Sequence, residues 1–66
     1  MNKVKAVFDG GPWDGWDALV PSEKFATGSI TLDESGHFPT EDSPAKYRFT
    51  CTARNNKPLL VFKGEV

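Results

Sequence analysis

Residues 9–16, in the order Asp-Gly-Gly-Pro-Trp-Asp-Gly-Trp, contain both tryptophans of the 66-residue chain. A tryptophan on a rigid loop offers a large contact area at a low cost in conformational entropy, which suits it to non-covalent binding. Glycine lets a ligand or a partner's backbone approach closely. This segment, called the Gly/Trp loop below, predicts a binding site made of Trp13, Asp14, Trp16 and Asp9.

The same residues also have a structural interpretation. In it, Trp16 begins a strand and packs in the core, while Trp13 covers an open end of the sheet. Asp9 and Asp14 then accept hydrogen bonds from the loop's own backbone, as aspartates do in Asx-turns. From the sequence both interpretations stay open.

Metal-binding chemistry has few candidate ligands in this chain. Asp9, Asp14 and Asp17 could supply oxygens to calcium, but they lack the alternate-residue spacing of an EF-hand loop. Zinc sites need more ligands than the single cysteine, Cys51, and the single histidine, His37. We therefore predict no metal and no cofactor.

Catalytic residues are also not recognisable. His37 follows Asp33 and Ser35 within one turn, where a triad could not be held in register. Cys51 falls on the apolar face of a strand and is interpreted as a small buried hydrophobe. No phosphate-binding loop and no dinucleotide fingerprint occurs. We predict a protein that is not an enzyme.

The charge of the chain is uneven. The net charge of −1 argues against general nucleic-acid binding. Residues 21–44 have five acidic side chains against one lysine, and residues 45–66 have five basic side chains against one glutamate. The two segments either compensate each other or leave a basic strand face, with Arg48 and Arg54, that binds a small anionic ligand.

Hydrophobic periodicity predicts five strands and at most one helical turn, at residues 22–27. The predicted strands are 4–8, 16–20, 29–32, 45–54 and 59–62. The fold class is all-β, a small antiparallel sheet or partly closed barrel of about five short strands with little or no helix. One domain accounts for residues 1–66.

The strongest strand signal is in residues 45–54, where apolar and polar side chains alternate. Asn55 and Asn56 follow, and asparagine tolerates the positive φ angles of tight turns. We expect this strand to form a hairpin with residues 59–62, and residues 4–8 to form a second hairpin with residues 16–20.

The small size of the chain bears on whether it associates with other chains. A chain this short buries only about 60% of its unfolded surface, and one cysteine excludes an internal disulfide. Oligomerisation or a larger partner would add stability, so a homo-oligomer and a monomer both stay open. No apolar run approaches a membrane span and no signal peptide is recognised, so we expect a cytoplasmic protein without membrane association.

The Gly-Gly-Pro-x-Asp-Gly core of the Gly/Trp loop resembles a motif of very small proteins encoded by tailed bacteriophages. Other matching pieces are Val20-Pro21, Tyr47 with Phe49, and Val61-Phe62 with Gly64. The resemblance implies an accessory protein in the host cytoplasm that binds a host protein, such as a defence protein, stoichiometrically and without catalysis. Alternatives are an oligomeric binder of a signalling nucleotide and a minor virion or capsid decoration protein.

Overall fold

The sheet accounts for most of the structure, a computed structural model that describes residues 2–66. Five strands form one sheet in the order β2-β1-β5-β4-β3, which curls into an open half-barrel. The predicted all-β fold is confirmed. The elements are β1 (Lys3–Asp9), β2 (Asp17–Pro21), α1 (Ser22–Phe25), β3 (Ser29–Leu32), β4 (Tyr47–Arg54) and β5 (Lys57–Glu65).

Strands β1 and β2 form the first predicted hairpin. They pair antiparallel, with Val4 opposite Val20 and Ala6 opposite Ala18. These four residues lie on the inner face because strand side chains alternate between the two faces of a sheet. The Gly/Trp loop connects the two strands, so the first hairpin positions the candidate site.

Strands β4 and β5 form the second predicted hairpin. Arg54 pairs with Lys57, which leaves a two-residue turn at Asn55 and Asn56. Both asparagines have positive φ, 53° and 65°. A two-residue turn with positive φ at both positions matches the right-handed twist of the flanking strands.

A β-bulge interrupts this hairpin near the start of β4. Phe49 pairs with Phe62 but Arg48 pairs with Gly64, so Lys63 is an extra residue on β5. An inserted residue bends its strand and increases the local twist. The bulge thus contributes to the curvature that turns the sheet into a half-barrel.

The two hairpins meet through β1 and β5, which run parallel. Val7 pairs with Leu59, Phe8 with Leu60 and Asp9 with Val61. The sequence predicts an antiparallel sheet, so this parallel pair of strands is a correction. The other three pairs of neighbouring strands are antiparallel, as predicted. Alternation of apolar residues specifies which face a strand buries but not its direction relative to a distant strand.

Helix α1 connects the edge strands β2 and β3, as one short turn. A serine is a common N-cap, so the sequence favours Ser22 in that role, but Pro21 occupies the N-cap and provides no side-chain hydrogen bond. Thr27 Oγ1 lies 2.6 Å from the carbonyl oxygen of Lys24 and 2.8 Å from that of Ser29, which fixes the connection to β3.

The core lies on the inner face of the half-barrel. Apolar alternation predicts a set of core residues, and each of them is buried or half-buried: Val4, Ala6, Phe8, Val20, Ile30, Leu32, Tyr47, Phe49, Cys51, Leu60 and Phe62. Within residues 2–66, no helix is long and apolar enough to cross a membrane. The most deeply buried of the core residues are Ala6, Phe8, Val20, Ile30, Leu32, Phe49 and Leu60.

Candidate binding site

Backbone hydrogen bonds make the Gly/Trp loop a compact unit. The amide of Gly10 donates to Asp14 Oδ1 at 2.7 Å, as expected for an aspartate that folds its own loop. The amide of Gly15 donates to the carbonyl of Phe8 at 2.9 Å, and the amide of Trp16 donates to the carbonyl of Trp13 at 2.9 Å. These bonds fix the two tryptophans relative to strand β1.

Gly11 is the position where this loop requires glycine. Its φ is +83°, a conformation that L side chains rarely adopt. A Cβ placed there would lie 2.6 Å from Cγ of Phe62, well inside van der Waals contact. The loop can therefore close over the edge of the Phe62 ring only because residue 11 has no side chain.

Trp13 packs on an aromatic cluster at the mouth of the half-barrel. Its ring centroid lies 5.5 Å from Phe8, 5.2 Å from Tyr47 and 6.0 Å from Phe49. Phe62 completes the cluster, 5.6 Å from Phe49. Such tilted and stacked pairs add to the stabilisation that burial gives. Trp13 thus covers the open end of the sheet, as the structural interpretation predicted.

Trp16 lies outside this cluster, with 68% of its surface exposed. The prediction that Trp16 packs in the core is wrong. Its carbonyl accepts a hydrogen bond from the amide of Phe8 at 2.8 Å, so its backbone continues the pairing of β1 with β2. The space above the core is already occupied by Trp13, which leaves the indole of Trp16 in solvent.

Trp16 lines one side of a small notch. The volume of the notch is about 150 Å³. Phe8 and Trp13 give it an aromatic floor, and Ser35 and Gly36 form the opposite wall. A Cβ on Gly36 would lie 3.5 Å from the Trp13 ring, so this wall is in close packing distance of the indole. We call this feature the Trp16 notch.

The wall at Ser35 and Gly36 is held by Asp33, which is only 4% exposed. Its Oδ1 accepts from the amides of Ser35 and His37, both at 2.9 Å, and its Oδ2 accepts from Ser43 Oγ at 2.7 Å. The Ser43 hydrogen bond, followed by the His37 amide bond, holds the pKa of the Asp33 carboxyl below its ordinary value.

From the sequence, residues 33–36 are predicted to form a plain turn, and this prediction misses the hydrogen-bonding role of Asp33. The usable signal is an aspartate at the end of a strand with serine two residues later, which is typical of an Asx-turn. The bond from Ser43, ten residues away, has no local signal. His37 is exposed and contributes its backbone amide rather than its imidazole to this network.

The structure brings together two of the other candidates. Asp9 Oδ2 lies 3.7 Å from Arg54 Nη2 in an exposed ion pair. The Asp9 carboxylate therefore contacts the β4–β5 hairpin rather than the backbone of its own loop, where the sequence placed it. Arg48 lies near the opposite end of β4 and does not join them. Glu34 and Lys46 pair at 3.9 Å across the acidic and basic segments. Part of the basic charge is therefore compensated.

Groups with redox or metal chemistry do not converge on this site. Among the described residues, no three His, Cys, Asp or Glu side chains are arranged to hold a metal ion. Cys51 is half-buried against the core, and burial raises the pKa of its thiol. A thiol with a raised pKa is a poor nucleophile at neutral pH.

The fold and the site define a small all-β protein, with a surface tryptophan next to an aromatic-floored notch. No family model, no curated protein and no solved structure matches the chain.

Proposed function

We propose that this protein binds another protein stoichiometrically and without catalysis, using Trp16 and the Trp16 notch as its contact. The observation that carries the proposal is the 68% exposure of Trp16 on a loop whose backbone is fixed by hydrogen bonds. Burying so large an apolar side chain against a partner gains free energy in proportion to the area removed from water. Tryptophan is also enriched among the residues that dominate binding energy in protein interfaces.

The size of the notch favours a protein as the partner at this site. Small-molecule pockets usually measure roughly 300 to 1,000 Å³. The Trp16 notch measures about 150 Å³, which suits one inserted side chain better than a whole ligand. The exposed Trp16 can insert into a partner, and the notch beside it can accept one side chain from that partner.

The rigidity of the loop supports tight binding. Trp13 packs on the aromatic cluster, and Gly15 and Trp16 donate backbone hydrogen bonds to Phe8 and Trp13. A surface ordered before the encounter loses less conformational entropy when it binds. The Asp33 network fixes the opposite wall in the same way.

The partner's origin rests on the resemblance to small phage proteins. We propose a host protein in the bacterial cytoplasm, for example one acting in defence. The aromatic floor and the small notch suit a partner that offers an apolar side chain with a flat surface around it. Stoichiometric binding fits a chain in which no catalytic set was recognised.

The test compares Trp16→Ala with Leu19→Ala in affinity capture from host lysate. Leu19 is the matched control because it is also an exposed apolar residue of the same hairpin, 62% exposed, but it points to the outer face. We expect the wild type and Leu19→Ala to retain the same host protein. Trp16→Ala should lose it while keeping the wild-type circular dichroism spectrum and unfolding midpoint.

Native mass spectrometry of the captured complex then gives its stoichiometry. A complex with a fixed ratio of the two chains supports the proposal. Equal capture by Trp16→Ala and the wild type would contradict it, and so would retention of nothing beyond a second copy of this chain.

A further inference from the structure

A second, larger groove is bounded by α1, by β3, by Arg48 of β4 and by residues 38–39. Its volume is about 390 Å³, within the range of small-molecule sites. It shares no residue with the Trp16 notch. The side chains that matter below are Lys24, Ser29, Thr31, Phe38, Pro39 and Arg48. We call it the cationic groove.

Two positive charges face this groove, and none of its lining residues is acidic. Lys24 comes from α1 and Arg48 from β4, and within residues 2–66 neither forms an ion pair. The chain as a whole has a net charge of −1, so this concentration of positive charge is local. A cleft lined by one sign of charge raises the local concentration of the opposite ion.

Hydroxyl groups lie next to the arginine. Thr31 is directly opposite Arg48 in the β3–β4 register, so both side chains stand on the outer face. Ser29 lies two residues earlier in β3 and therefore shares that face. Guanidinium and hydroxyl donors on one strand face provide the hydrogen bonds that phosphate oxygens accept.

The remaining wall is apolar and aromatic. Phe38 is 37% exposed, and Lys24 Nζ lies 5.9 Å from the centre of its ring. Pro39 extends the same surface. The Lys24 ammonium lies over one face of the Phe38 ring, so a base would pack on Pro39 and on the part of the ring that Lys24 leaves exposed, as bases pack on aromatic side chains.

We propose that the cationic groove binds a nucleoside monophosphate, with its phosphate between Lys24 and Arg48 and its base against Phe38. The site is independent of the protein contact at Trp16. It combines positive charge, free hydroxyls and an aromatic wall in a groove of the volume that a small ligand needs.

The test is a titration of the full-length ¹⁵N-labelled protein with each of the four ribonucleoside monophosphates, followed by amide chemical shifts. We expect at least one of them to bind with a dissociation constant below about 1 mM and to shift residues 29–31, Phe38 and Arg48. Adenosine and inorganic phosphate, tested separately, should each bind at least about tenfold more weakly, because each lacks one part of the contacts.

Two variants locate the site and two more serve as controls. Arg48→Gln and Lys24→Gln should each weaken binding about tenfold, which is the loss of one charge-assisted contact. Lys57→Gln is the matched control, since it removes the same charge from an exposed position at the far end of the β4–β5 hairpin. The affinity of Lys57→Gln for the nucleotide should equal that of the wild type. Trp16→Ala should also leave this binding unchanged, which separates the two proposals.

No shift with any nucleotide would overturn the inference. Binding of inorganic phosphate as tightly as any nucleotide would overturn the role of the aromatic wall. Equal weakening by Lys57→Gln and Arg48→Gln would show general charge attraction and would overturn the site.

Discussion

The indole of Trp13 stacks on the ring of Phe49, with 6.0 Å between their centroids and 25° between their planes. Phe49 is fully buried and lies on β4, whereas Trp13 belongs to the loop between β1 and β2. One contact therefore joins the Gly/Trp loop to a strand from the other hairpin. The loop and the core are parts of a single packed unit, and the orientation of Trp16 depends on it.

Replacing the two tryptophans should separate stability from binding. Trp13→Ala removes the indole from the aromatic cluster and should lower the free energy of unfolding by about 3 kcal/mol. Trp16→Ala removes an exposed side chain and should change it by less than about 0.5 kcal/mol. Urea denaturation followed by circular dichroism measures both. A larger loss for Trp16→Ala than for Trp13→Ala would contradict the assignment of the two roles.

Gly11→Ala should lower the free energy of unfolding more than Gly15→Ala does. Both glycines have positive φ, +83° and +85°, so each substitution introduces backbone strain of roughly 1–2 kcal/mol. Only at Gly11 does the new Cβ meet Phe62, so overpacking adds about 1–3 kcal/mol. Nothing lies within 4 Å of the corresponding Cβ at Gly15. Thermal unfolding of both variants should show the larger loss for Gly11→Ala, and equal losses would contradict the close approach to Phe62.

Strand positions could be predicted because the sheet buries one face. Residues 29–32 were predicted as a strand and form β3 with the same bounds. The alternation around Phe49 and the turn at Asn55 and Asn56 predicted the second hairpin correctly. The parallel pairing of β1 with β5 could not be predicted, because it depends on how two complete hairpins dock and no local pattern encodes it.

The candidate site could be predicted in part. The Gly/Trp loop was located from composition, and Asp14 was correctly expected to bind its backbone. The sequence left the position of Trp16 open, because the loop composition predicts a binding residue while the spacing from Ala18 and Val20 places Trp16 on the inner face. Trp13 packs against the core on that face, and Trp16 is exposed. The sequence did not predict the cationic groove, because Lys24, Phe38 and Arg48 come from three separate segments that only the fold brings together.

Glycine at position 56 should stabilise the β4–β5 turn. Asn56 has a φ of 65° and is the second residue of a two-residue hairpin turn, where Asn-Gly is the preferred pair. Glycine adopts positive φ without a steric penalty, so Asn56→Gly should raise the unfolding free energy by about 0.5 kcal/mol. Glycine at Lys57, which lies in β5, should lower it instead. Urea midpoints measured in parallel check the opposite signs.

Acid should unfold the domain partly through Asp33. Its pKa is lowered in the folded state by the Ser43 and His37 hydrogen bonds. The unfolded chain therefore takes up this proton first as pH falls, so the stabilisation is present above the ordinary pKa of 3.8 and is lost as pH falls through the folded value. We expect Asp33→Asn to flatten the decline in unfolding free energy between about pH 5 and pH 2. Asp42→Asn, an exposed change in the same loop, should retain the steeper wild-type decline.

Removing one hydroxyl tests the cause of that pKa shift. Ser43 Oγ donates to Asp33 Oδ2 at 2.7 Å, and this bond is the largest contribution to the lowered pKa. Ser43→Ala should therefore raise the pKa of Asp33 toward its ordinary value, as measured by NMR titration of the carboxyl carbon. Ser35→Ala is the matched control, because Ser35 donates its backbone amide and keeps it after the substitution. Equal pKa values in Ser43→Ala and the wild type would mean that the backbone amides alone hold the carboxylate, and the wall of the Trp16 notch would then not depend on the 40–43 segment.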